Sequence, residues 1–79
     1  MEVDVPTNEE RAERGWAILQ MYALQHGVFD DNVANLTDVL ADLMHLAHQH
    51  SEIPLNFDDC LEMARRHFEA EMEEEHSTN

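Results

Sequence analysis

The residues in this chain with most scope for chemistry are its histidines and carboxylates, six His and 18 Asp plus Glu in 79 residues. Asp42, His45 and His48 are spaced three apart, and Asp38 lies one helical turn before Asp42. On a helix, neighbours at that spacing share a face, so two carboxylates and an imidazole could hold a divalent cation if a second helix added Glu62 or His67. The paired Glu-x-x-His repeats of a helical di-metal site do not occur, and no metal or other cofactor is expected. Nucleophilic catalysis has less support. Cys60 falls on an apolar stripe, where a small buried thiol is the expected state, and Ser51 and Ser77 have no nucleophile-elbow context. There is no glycine-rich phosphate loop.

These side chains need helices to position them. The stretch NLTDVLADLMHLAHQH, residues 35–50, has the clearest helical period: Leu36, Val39, Leu40, Leu43, Leu46, Ala47 and His50 fall on one side, Asp38, Asp42, His45 and Gln49 on the other. Upstream, Thr7 followed by Glu10 is a capping-box signature, and Gly27 supplies the left-handed C′ position that ends a helix, predicting a helix over about 8–26. Its core stripe is Ala12, Trp16, Leu19, Tyr22, Ala23 and His26, with Gly15 leaving room for another backbone. On its far side Ala17, Met21 and Leu24 form a second apolar strip, either covered by a small domain wrapped around the helix or left as a dimer surface.

Val28 and Phe29 are expected to enter the core, after which the second helix starts at Asp31 or Asn35. The Asn35-x-x-Asp38 spacing supports the later start. Pro54 separates the second and third helices. Asn56 with Asp59 opens the third, expected over about 57–75, with a core face of Phe57, Cys60, Leu61, Ala64, Phe68 and Met72. Its other side carries Asp58, Glu62, Glu69 and Glu73, interrupted by Arg65 and Arg66 at ion-pair spacing. A glutamate run suits a helix C-terminus badly, so the end from Glu73 is expected to fray. The pattern predicts one all-α, three-helix domain over residues 1–79, with short flexible ends at 1–6 and 76–79.

Composition narrows the partners. Four arginines and no lysine leave a net charge of −14, which repels nucleic acid and anionic membrane and favours cationic protein surfaces. At this size a chain hides only about 60% of its unfolded surface, so partner-dependent stability is plausible. The single cysteine excludes an internal disulfide, there is no membrane span, and a cytoplasmic location is expected.

The segment DVLADLMHLAHQH, a proline-containing turn and then FDDCLEMARRHFEAE are similar to the tail half of the MazG-like all-α nucleotide pyrophosphatases, over about 40 residues. That resemblance implies magnesium held by an EExxD pattern. With Asp38 at the final Asp, however, the two glutamate positions are Ala34 and Asn35. The whole chain also resembles the short acidic helical proteins of bacterial phages and plasmids, which implies an inhibitor of host defence that imitates nucleic-acid charge. Carboxylates at i and i+4 stand roughly 6 Å apart, comparable to successive phosphates.

The resulting expectation is a non-enzymatic acidic module, an anti-CRISPR or anti-restriction type of nucleic-acid mimic. It would contact a basic nucleic-acid-binding protein through Asp38, Asp42, Asp58, Asp59, Glu62, Glu69 and Glu73. A helical homodimer built on Ala17, Met21 and Leu24 is the alternative, and a metal-dependent nucleotide pyrophosphatase the lesser one.

Overall fold

The computed structural model describes residues 5–28, 30–50 and 52–77, and within them the chain is three helices: α1 (Asn8–Gln25), α2 (Asn32–Gln49) and α3 (Phe57–Ser77). The expected all-α, three-helix architecture is the one observed. Phe29, Ser51 and most of the expected flexible ends, residues 1–4 and 78–79, lie outside the described residues.

Each helix starts where a polar side chain satisfies the free amides of its first turn. Thr7 Oγ1 accepts from the Glu10 amide at 3.1 Å while the Thr7 amide donates to Glu10 Oε1 at 2.8 Å, completing the capping box. At α3, Asn56 Oδ1 accepts from the Asp59 amide at 3.0 Å. At α2 the cap is Asp31, whose Oδ1 accepts from the Ala34 amide at 3.0 Å. The helix therefore begins at Asn32, three residues before the start favoured by the Asn35-x-x-Asp38 spacing, because Asn35 is used elsewhere.

Asn35 is 1% exposed, and among the described residues it is the only buried one. Its amide oxygen accepts from the Val28 backbone N–H at 2.8 Å and its amide nitrogen donates to the Val28 carbonyl at 2.9 Å. One side chain thus satisfies both backbone groups of a connector residue, joining the end of α1 to the start of α2. Gly27 makes room for it. A Cβ there would collide with Asn35 Oδ1 and lie 2.7 Å from Ala23 Cα. The Gly27 amide closes α1 by donating to the Tyr22 and Ala23 carbonyls. The left-handed residue expected at Gly27 is instead Asp30, with φ 65°, and neither glycine has a positive φ. Gly27 is needed for space, not for backbone angle.

A second joint ties the start of α1 to the end of α3. Asn8 Nδ2 donates to the Glu71 carbonyl at 3.1 Å and to the Glu75 carboxylate, and Arg11 Nε sits 3.3 Å from Glu71 Oε2. The glutamate-rich end does not fray at Glu73, since α3 continues to Ser77. Its acids face the positive end of the α1 dipole and an arginine, which offsets the unfavourable position at their own helix terminus. The third joint is local, where Met44, Ala47 and His48 of α2 meet Leu55, Asn56 and Phe57 around a cleft of about 260 Å³.

Between these joints the Tyr22 hydroxyl reaches Asp42, and the helices do not otherwise close on one another. The expected core is not buried: Trp16 is 50% exposed, Leu36 52%, Leu43 42%, Leu61 45% and Phe68 60%, and Ala12, His26, Leu40, Leu46, Cys60, Ala64 and Met72 are exposed as well. Leu19, Tyr22, Ala23, Val39, Ala47 and Phe57, all close to joints, are half-buried. Val28, also expected in the core, is 56% exposed. The physical reason is that the helices meet near their ends, so the middle of each apolar stripe has no opposing helix. The radius of gyration is 15.4 Å, against about 12 Å for a compact chain of this length. The accessible surface is 7122 Å², against about 4,900 Å² for a compact chain of this mass. Folding hides about half of the unfolded surface, less than the 60% expected from chain length.

Candidate partner-binding surfaces

Two kinds of surface follow from this geometry, one acidic and one apolar. On α3, Asp58, Glu62, Glu69 and Glu73 fall within about 60° of one another at 100° per residue, with Asp59 beside them. All five are exposed. The stripe is not uniformly negative. Arg65 lies at its edge, between Asp58 and the apolar stripe, and Arg66 Nη2 pairs with Glu62 Oε1 at 2.5 Å, the i,i+4 pair its spacing predicts. Among the described residues the side chains of Asp58, Glu69 and Glu73 make no hydrogen bond or ion pair.

On α2, Asp38 and Asp42 are exposed one turn apart. Asp42 is already engaged, since Tyr22 Oη donates to its Oδ2 at 2.8 Å, bridging α1 and α2. That hydrogen bond, followed by partial burial and by the charges of Asp42 and Asp38, raises the Tyr22 hydroxyl above its ordinary pKa of 10.0. A phenolate there would face two carboxylates. Nothing in the residue types pointed to the Tyr22–Asp42 contact, although both sides of it were visible: Tyr22 on the inner stripe of α1 and Asp42 on the acidic side of α2.

The groups considered for metal binding are not gathered into a site. His45 and His48 are exposed on α2, and among the described residues no three His, Cys, Asp or Glu side chains are grouped as ligands would be. Cys60 is exposed in the first turn of α3 rather than buried on its apolar stripe.

The apolar surfaces are larger than the sequence suggested. The outer strip of α1 is open, with Met21 63% and Leu24 83% exposed and Ala17 and Ile18 beside them. Among the described residues nothing wraps that side of the helix. The inner faces of all three helices are open along their middles as well, and at Gly15, on the inner side of α1, an added Cβ would meet no atom within 4 Å. Among the described residues none makes the backbone approach expected at Gly15. No helix among the described residues is long and apolar enough to cross a membrane.

No family model, curated protein or solved structure matches the chain.

Proposed function

We propose that this chain acts by binding rather than by catalysis, as an acidic module that occupies a basic, nucleic-acid-binding surface of another protein. On this reading it is an inhibitor of a host defence complex of the CRISPR or restriction kind, as its resemblance to small acidic proteins of phages and plasmids implies. The observation that carries the reading is the uncovered acidic rows: Asp58, Asp59, Glu69 and Glu73 on α3, with Asp38 on α2, stand in solvent, form no ion pair within the described part of the chain and outnumber the neighbouring Arg65 and Arg66. A net charge of −14 draws such a surface to a cationic groove, with an attraction that falls as salt rises.

The test is affinity capture from the host, with the native chain beside a variant carrying Asp38→Lys, Asp58→Lys, Glu69→Lys and Glu73→Lys. The expected result is capture of a nucleic-acid-binding protein by the native chain alone, and release of DNA or RNA from that protein on addition of the chain. Capture unchanged by the four reversals, or a captured protein that still holds its nucleic acid, would overturn the reading. Circular dichroism of the variant separates loss of contact from loss of fold.

A second reading is favoured by the exposure of Met21 and Leu24, which with Ala17 form an i, i+4, i+7 apolar strip on a helix already supported from its other side. Self-association through that strip predicts a dimer by light scattering that Met21→Asp converts to a monomer. A monomer at millimolar concentration disposes of it.

A further inference from the structure

We propose that the open inner faces of α1, α2 and α3 together seat one cationic amphipathic helix of the partner protein. The inference rests on the protein-binding reading above and names what fills the apolar side of the molecule.

The first argument is area. The chain exposes roughly 2,000 Å² more than a compact protein of its mass, whereas a standard interface needs about 800 Å² from each partner. Along the inner faces Trp16, Leu40, Leu43, Leu61 and Phe68 are each 40–60% exposed. These are side chains of the size that supplies most binding energy once covered.

The second argument is charge, and it selects the occupant. A second copy would bring another −14 against this one. The acids also stand beside the apolar faces: at 100° per residue Asp42 borders the Leu stripe of α2 and Glu9 that of α1, whose other edge holds Arg11, already paired with Glu71, while on α3 Asp58, Glu69 and Glu62 follow outward from the stripe beyond Arg65. Two such rims facing each other would repel. A helix with one apolar face and lysine or arginine along its flanks buries the first against the leucines and sets the second against the carboxylates.

The third argument is shape. Gly15 sits on the inner side of α1 with open space around it, at a mid-helix position where glycine costs about 0.5–1 kcal/mol relative to alanine. A second backbone can come close there. Met44, 53% exposed, and Met72, 38% exposed, border the same faces with flexible side chains that repack around an incoming helix.

The probe is an 18-residue peptide of leucine and lysine with leucines at i, i+3, i+4 and i+7, compared with a peptide of the same composition in scrambled order. Trp16 is the only tryptophan in the chain, and neither peptide contains one, so its fluorescence reports the inner face directly. The expected result is a shift of Trp16 emission to shorter wavelength at a stoichiometry of one to one. The patterned peptide should bind at least tenfold more tightly than the scrambled one. Phe68→Asp and, separately, Gly15→Leu should each weaken patterned-peptide binding tenfold or more while the helical circular dichroism is kept.

Equal affinity for the two peptides would overturn the inference and leave the acidic-surface reading standing, since charge alone would then explain binding. Binding of neither peptide at low salt would overturn both. A chain that is dimeric by light scattering at micromolar concentration, with Trp16 emission already at short wavelength, would overturn the inference in favour of a second copy.

Discussion

The joint around Asn35 and the apolar faces between the joints invert the usual arrangement of a small domain. At the joint a polar side chain is fully buried with both its amide oxygen and its amide nitrogen hydrogen-bonded, and a glycine is kept so that it fits. Along the faces, leucines, a phenylalanine and the tryptophan stand in water. The difference teaches that the free chain is held together at its joints, by polar contacts around Asn35 and Asn8 and by a small cluster around Phe57, which need only a few residues and no mass of apolar side chains. The hydrophobic residues are in reserve for something else.

The comparison can be broken most sharply at the joint. Asn35→Ala removes the partner of the Val28 N–H and leaves the Val28 C=O with the Asp31 amide alone, and Gly27→Ala drives a methyl group into Asn35 and the α1 backbone. Each should cost about 2–4 kcal/mol in urea denaturation. For so open a domain that loss means unfolding near room temperature. A cost below about 1 kcal/mol would show that the joint does not hold the helices.

The faces should respond far less. Leu43→Ala, in a packed core, would cost about 2–5 kcal/mol, but with Leu43 already 42% exposed the free chain should lose about 1 kcal/mol or less. A core-sized loss would mean that the face is covered in solution. Gly15→Ala should act in the opposite direction and stabilise the free chain by about 0.5–1 kcal/mol, because nothing stands where the methyl group goes.

The smallest effects are those of pH. The Thr7 backbone amide and then the Thr7 hydroxyl hold the Glu10 carboxyl below its ordinary pKa of 4.5. A depressed folded-state value means a contribution fully present above pH 4.5 and lost as pH falls through the lower value. Tyr22 has the reverse sign. Its pKa is raised above 10.0 by the bond to Asp42, so its contribution is present below pH 10 and lost as pH climbs through the higher value. Stability measured against pH should fall at both ends, and Tyr22→Phe should remove the alkaline fall attributable to this group while leaving the acid one.

Much of the local structure was legible in the sequence. Thr7 with Glu10, Asn56 with Asp59, and Glu62 with Arg66 each act within one helical turn, so their spacing suffices to predict the contact, and the helices follow from the apolar period. What could not be read is whether anything faces an apolar stripe, because periodicity orients a helix without bringing another helix to it. Asn35 shows the limit well. Its residue type suits a cap, and Asp31 took that role because Asn35 could reach Val28 across the connector. The end of α3 shows the same limit: Glu71 and Glu75 are unfavourable in isolation and favourable beside Asn8 and Arg11, 60 or more positions earlier. The acidic side chains of α2 and α3 could be listed from the sequence, but not the fact that Tyr22 occupies Asp42.

The clasp between Asn8 and Glu71 carries a consequence for the order in which this molecule opens. Its two halves are 63 positions apart, and they can meet only after the joints at Asn35 and at the α2–α3 turn, both between sequence neighbours, have set the directions of the helices. It is therefore the last contact to form and the first to release. Amide protons near the C-terminal end of α3 should exchange with solvent sooner than those around Asn35, in step with swings of α3 that leave the α1–α2 pair intact.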